Sequence, residues 1–219
     1  MNAITKPEKP ESRERISIPA PDIRTLAVAI QGTAPLMICK FSSKARDAIR
    51  AKQAEGSTAR GKKVRDAKDF EAVLNGARHI STEGWDGIPA AAFRNAMISA
   101  CRLIGFKMTL AKMSVFVEGE GLDCDEGVPL VRIVSKKGYE KSEMMGRTMT
   151  GVPDIRVRPL WREWGADLRI RYDADQFTAA DVVNLLARAG MQVGVGEGRP
   201  DSKQSAGIGF GTFTVVEGE

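Results

Sequence analysis

The sequence predicts an α+β domain in the order strand, helices, strand, strand, helix, strand, with an enlarged first helical crossover and an inserted basic arm. Three stretches carry this prediction. Trp164, Ala166, Leu168, Ile170 and Tyr172 alternate with Asp167, Arg169 and Arg171, the period of a strand with one face buried. An amphipathic helix comes next: Thr178 and Asp181 stand at capping-box spacing, and Val182, Leu185, Leu186 and Ala189 repeat at helical spacing behind them. Glycines then crowd residues 194–211, and 196–207 among them mark a long loop between that helix and a closing strand.

At 219 residues the chain can bury one substantial core, so a single domain over 23–219 is expected, with insertions at about 40–80 and 135–160. Residues 1–22 mix Pro7, Pro10, Pro19 and Pro21 with Lys6, Glu8, Lys9, Glu11, Arg13, Glu14 and Arg15, a composition too polar to pack, and read as a disordered tail. The net charge of +5 leans toward an anionic partner. No run approaches the roughly 20 apolar residues that a membrane span needs, and the first residues lack the apolar segment of a signal peptide, so no membrane is expected. Cys39, Cys101 and Cys124 are odd in number and lack C-x-x-C spacing. They point to free thiols in a reducing compartment, the cytoplasm, and away from a zinc site.

In chain order, Leu26, Val28 and Ile30 alternate with Thr25, Ala27, Ala29 and Gln31 and predict a first core strand over 24–33. Ser42 is placed to cap a helix carrying Lys44, Arg46, Arg50 and Lys52 that ends near Gly56. Lys62, Lys63, Arg65 and Lys68 lead into a second helix around Phe70, Val73 and Leu74, stopped by Gly76. A turn at 84–88 feeds a third helix with Pro89 near its first position. Its expected buried face is Phe93, Met97, Ala100, Cys101 and Ile104, and its stop is Gly105.

Residues 112–117 and 128–134 predict two strands joined by an acidic turn at Glu118, Glu120, Asp123, Asp125 and Glu126. These acids do not follow the D-x-[DN]-x-[DN]-G calcium loop, so a solvated turn and no metal are expected. Residues 135–159 interleave Lys136, Lys137, Lys141, Arg147, Arg156 and Arg158 with Tyr139, Met144, Met145 and Met149, as in a projecting arm. After the capped helix, Gly190 is the expected stop, 191–195 alternate like a short strand, and 208–216 form the exit strand.

Two of these features suit a nucleic acid. Glycines without Cβ let backbone N–H groups approach a phosphate or sugar, and Arg199 and Lys203 add charge to the same loop. A flexible hairpin connection has the same composition. Neither G-x-x-x-x-G-K-[ST] nor G-x-G-x-x-G is present, so no nucleotide cofactor is expected. The arm's cations, mixed with Tyr and Met, suit a segment lying along a single strand, with charges on phosphates and apolar groups on bases. Docking of a protein partner is the alternative. The basic region 40–68 fits either a phosphate backbone or a solvated helix pair.

Two stretches resemble the RAMP superfamily, RNA-binding proteins that include the repeated backbone subunits of CRISPR effector complexes. Gly87-Ile88-Pro89-Ala90-Ala91-Ala92-Phe93-Arg94-Asn95-Ala96 resembles the family's helix start of an Ile-Pro pair, small residues and a cation. Residues 194–214, with Gly207-Ile208-Gly209-Phe210-Gly211 near their end, resemble its glycine-rich loop, and the basic segment stands where such proteins carry a thumb-like hairpin. The βαββαβ order is then a ferredoxin-like (RRM-like) core. The resemblance implies single-stranded nucleic-acid binding of the kind seen in stand-alone, phage-like relatives. The loop is longer than the family's minimal one, and no acid stands where some members cleave RNA.

The one histidine, His79, is the only side chain with an ordinary pKa suited to proton transfer near neutrality, and some RAMP relatives are metal-independent endoribonucleases with a histidine base. No G-x-S-x-G elbow or H-E-x-x-H motif accompanies it. The expectation is a non-catalytic protein that coats RNA or single-stranded DNA and assembles head to tail. Arg199 and Lys203 would contact phosphate from the loop, Arg94 and Lys107 near the family-like helix, and Arg147, Arg156 and Arg158 from the arm. A protein-docking module, or a decoy of a CRISPR backbone subunit, is the alternative expectation.

Overall fold

The computed structural model describes residues 18–40, 47, 51, 69–147, 153–202 and 207–216, with Arg147 described by its backbone. In chain order they form β1 (Ile23–Gly32), β2 (Leu36–Met37), α1 (Phe70–Gly76), β3 (His79–Ile80), β4 (Asp86–Pro89) and α2 (Ala90–Ala100). A 3₁₀ turn over Cys101–Ile104 leads to α3 (Met108–Ser114), β5 (Val115–Glu118), β6 (Gly121–Leu122) and β7 (Pro129–Arg132). The hairpin β8 (Glu140–Arg147) and β9 (Pro153–Trp161) follows, then β10 (Gly165–Asp173), α4 (Ala179–Arg188), a π-helical turn over Ala189–Val193 and β11 (Phe213–Val215).

The architecture is mixed α+β. Its central sheet runs β11-β1-β10-β5, with every neighbour antiparallel. β1 and β10 pair from Ile23 against Asp173 to Gln31 against Gly165. The alternation in β10 places Ala166, Leu168, Ile170 and Tyr172 inside and Asp167, Arg169 and Arg171 outside. Inner residues of this sheet join Phe93 and Met97 of α2 and Val182, Leu185 and Leu186 of α4 in one core. There Phe213 meets Phe93 and Trp164 edge-on, with centroids at 5.9 and 6.1 Å. Each such aromatic pair adds about 1 kcal/mol to the burial of its rings. A second sheet, β3-β4-β7-β6, is joined to the central one where the chain after β7 bridges from Val134 to Gly165 of β10, and a third, β2-β9-β8, carries the arm.

Local signals place several elements as expected. Asp69 caps α1 by accepting from the N–H groups of Glu71 and Ala72. Thr178 and Asp181 form a reciprocal capping box at the start of α4. Gly105 adopts φ +67° and closes the turn after α2. The basic helix expected over 42–56 lies outside the described residues except at Asp47 and Ala51, both helical, and residues 1–17 of the expected tail also lie outside them.

Other expectations need correction. Residues 108–114 are a helix: Ala111 and Ser114 are buried at i, i+3 spacing, and only from Val115 does the chain extend. Ile104 stands 48% exposed, because the helix tightens to a 3₁₀ turn at Cys101 and rotates that side chain off the core. Gly190 does not stop α4. The helix continues as a π turn through 191–193 in place of a short strand and ends at Gly194, whose φ is +70°. Gly190 instead lets that turn press against β11: a Cβ there would lie 2.2 Å from the carbonyl oxygen of Phe213. The exit strand is correspondingly short, beginning at Phe213.

The arm has a packed base and an exposed far half. Val157, Leu160 and Trp161 are buried, Tyr139 packs on Trp161 at 5.6 Å between centroids, and Lys141 pairs with Glu71 of α1. Farther along, Met145 lies opposite Ile155 and is 88% exposed.

Candidate nucleic-acid interface

The two family-like stretches, a hundred residues apart in sequence, form opposite walls of one cleft of about 570 Å³. Positions 92, 95, 96, 99 and 102 lie on one side of α2 and its 3₁₀ extension, and bring Ala92, Asn95, Ala96, Ser99 and Arg102 to the first wall. The second wall is Val193, Gly194, Val195, Gly196, Arg199 and Asp201. Small side chains on the helix and glycines on the loop leave backbone amides and carbonyls close to the open space.

The loop is anchored at several points. Gly196 is followed by Glu197, whose N–H donates to the carbonyl of Met37, while Gly211 N–H donates to that of Pro35 and Val195 N–H to that of Gly211. The described parts of the loop thus rest on the β2 segment as a shelf, which separates them from a loose hairpin connection.

Across the mouth of the cleft, Arg102 Nη2 donates to both carboxylate oxygens of Asp201, at 2.8 and 2.7 Å, and Ser99 Oγ donates to the same carboxylate. The Ser99 hydroxyl and then the Arg102 guanidinium hold the Asp201 carboxyl below its ordinary value, against the opposing effect of its burial. Arg199 lies on the same wall as Asp201 and donates to the carbonyl of Gly196 at 3.0 Å.

The expected contact residues divide by position. Arg199 faces the cleft. Arg158, at the arm's base, reaches the loop through an ion pair with Glu197 at 2.6 Å. Lys107 is exposed at the cap of α3, one residue before Met108, which lines the cleft. Arg94 turns from the cleft toward β5: its guanidinium donates to the carbonyls of Val115 and Lys112 and stacks on Phe116 at 4.6 Å. Arg156 lies on the exposed arm opposite Met144, with its guanidinium over Gly146 of the paired strand. Lys203 and the side chain of Arg147 lie outside the described residues.

Sequence inspection missed Asn95, Ser99, Arg102 and Asp201 as cleft residues. For the helix members a signal existed, since 95, 99 and 102 are spaced four and three apart on the side opposite Phe93, Met97 and Ala100. No local pattern pointed to Asp201.

A second polar cluster involves His79. The acidic turn is not wholly solvated: Asp123 is 1% exposed and accepts from Lys40 Nζ at 2.7 Å, while His79 Nδ1 lies 2.8 Å from its other oxygen. Burial pushes the Asp123 carboxyl up, but Lys40, the N–H groups of Glu126 and Asp125, and His79 bring it down to about 2. Lys40 also pairs with Asp125 at 2.9 Å, so an ammonium occupies the space among the acids that a cation would take. Those hydrogen bonds outweigh burial and raise the Lys40 ammonium above its ordinary value.

Cys39, Cys101 and Cys124 are free thiols. Among the described residues no helix is long and apolar enough to cross a membrane. No protein-family model matches the chain, and no curated protein matches it in sequence.

Proposed function

We propose that this chain is a non-catalytic, RAMP-like protein that binds single-stranded RNA or DNA in the cleft between α2 and the glycine-rich loop and coats its ligand as a head-to-tail oligomer in the cytoplasm. The observation that carries the proposal is the meeting of the two family-like stretches as the walls of one cleft. The sheet order β11-β1-β10-β5, with α2 between its first two strands in sequence and α4 between its last two, supports a ferredoxin-like core. Arg199 is the primary phosphate contact from the loop, joined by Lys203. Lys107, Arg156 and Arg158 extend the basic track, and Arg147 continues it along the arm. His79 is held by a buried carboxylate, which supports a structural role for it over that of an endoribonuclease base.

Binding of a labelled single-stranded RNA and the matching DNA at two salt concentrations, with size-resolved complexes, tests the proposal. Affinity should fall steeply as salt rises, because each phosphate contact releases condensed counterions, and complexes should grow by whole protomers. Absence of binding to both polymers would reject it. The second reading, a protein-docking module or decoy, is favoured by the exposed apolar pair Met145 and Ile155 on the arm. Its binding would be largely insensitive to salt.

A further inference from the structure

We propose that Arg102 is a phosphate-binding residue whose donors are held by the Asp201 carboxylate until a phosphodiester displaces it. The inference rests on the cleft being the ligand site, and it assigns a specific subsite and an exchange of partners there. Arg102 stands where the 3₁₀ turn leaves α2, Asp201 on the facing shelf, and their contact spans the cleft mouth between the two walls.

A carboxylate and a phosphate both present paired anionic oxygens to the planar donors of a guanidinium. Asp201 therefore stands in the place that a ligand's phosphate oxygens would take. The contact is suited to exchange because it is open to water: the Arg102 and Asp201 side chains are 54% and 34% exposed, and ion pairs of that exposure hold weakly. Ser99 Oγ accepts from Arg102 Nη2 at 2.6 Å and Arg102 Nε donates to the Ser99 carbonyl, so the guanidinium stays in place on the helix when Asp201 leaves. Arg102 is tied to Ser99 of its own helix end, whereas the Asp201 carboxylate reaches across the cleft to Ser99 and Arg102 from a backbone whose N–H donates to the carbonyl of Val193. The carboxylate is therefore the partner that swings away, by rotation of its side chain with the shelf in place.

A purely structural clasp would respond differently to substitution. If the pair only holds the loop in shape, removing either member loosens the same shelf and weakens binding. If Asp201 competes with the ligand, removing it strengthens binding and removing Arg102 weakens it.

The test measures binding of a labelled single-stranded oligonucleotide, and separately of inorganic tripolyphosphate, to the full chain and to the D201N, R102A and R102A/D201N variants, with a thermal melt of each to establish folding. D201N should bind roughly two- to fivefold tighter, the range set by loss of one exposed competing ion pair. R102A should bind more weakly, with a log–log salt slope shallower by about 0.7, the value for one single-strand phosphate contact. In the R102A background D201N should add nothing. The proposal is overturned if D201N and R102A both weaken binding, if the D201N gain survives without Arg102, or if tripolyphosphate binding ignores Arg102. Tripolyphosphate binding that depends on Arg102, without oligonucleotide binding, would keep the subsite and reject the nucleic-acid function.

Discussion

Lys40 Nζ lies 2.7 Å from Asp123 Oδ1, with both side chains almost wholly removed from solvent. Such a pair contributes little net stability against an apolar substitute, yet breaking one half leaves a charge with no water to solvate it. Lys40→Met should therefore lower unfolding stability by about 3–5 kcal/mol. Lys40→Met combined with Asp123→Asn should recover much of that loss, since both charges are gone. Urea midpoints of the two single variants and the double variant measure the coupling. A double variant no better than Lys40→Met alone would mean that the main-chain hydrogen bonds to Asp123, and not the charges, dominate.

The same carboxylate sets an acid limb of stability. Its folded value of about 2 lies below the ordinary 3.8, so the stabilisation is present above the ordinary value and disappears as pH falls from about 5 toward 2. The shift corresponds to roughly 2 kcal/mol at neutral pH. Lys40 is raised instead, so its share persists until the pH rises past its ordinary value, in alkali. Urea unfolding between pH 2.5 and 6 should show this slope, and Asp123→Asn should flatten it. An unchanged slope in Asp123→Asn would place the acid sensitivity in other carboxylates.

Glycines of the loop differ sharply in what they tolerate. Gly211 has φ +67°, and a Cβ there would lie 1.7 Å from the carbonyl oxygen of Val195. Gly209 has φ +79°, and among the described residues no atom beyond its chain neighbours lies within 4 Å of such a Cβ. Gly209→Ala should cost about 1 kcal/mol, the strain of a left-handed alanine. Gly211→Ala must also push the two loop strands apart, costing about 3 kcal/mol in all and opening the cleft wall at Val195. Thermal melts of the two variants check the ranking, with oligonucleotide binding reporting the cleft. Equal costs would show that the loop yields freely at Gly211.

Periodicity made much of the fold legible. Alternation in 164–172 and the capped stripe of 178–189 are local signals, and the strand and helix they describe lie at the centre of the core. Residues 112–114 were misread as the start of the strand because Met113, Val115 and Val117 alternate with Lys112 and Ser114, whereas Met, Leu, Ala and Lys over 108–112 suit the helix that the three residues complete. Gly190 was misread because glycine permits both a left-handed stop and a close approach, and only the position of Phe213 decides between them. The cleft was half legible. Its helix wall and glycine shelf each left a signature, but the partners of its cations are distant in sequence, so Asp201 opposite Arg102 and Glu197 opposite Arg158 emerge only from the folded chain. The buried Asp123 was hidden for the same reason, since Lys40 and His79 reach it across long separations.

Arg94 offers the sharpest division between holding the fold and holding a ligand. It belongs to the family-like stretch, and a cation there was expected to meet phosphate. Its guanidinium instead joins α2 to the α3–β5 corner through the carbonyls of Lys112 and Val115 and lies over Phe116. Removing these charge-assisted bonds and the stacking contact should cost roughly 2–3 kcal/mol of stability. Arg94→Ala should thus lower the melting temperature, while oligonucleotide affinity measured well below that temperature, and its salt slope, remain close to those of the parent chain. A phosphate-contacting arginine would give the opposite pattern, with an unchanged melt and a shallower salt slope. If Arg94→Ala gives that second pattern, the guanidinium leaves the β5 corner when ligand binds and belongs among the contact residues.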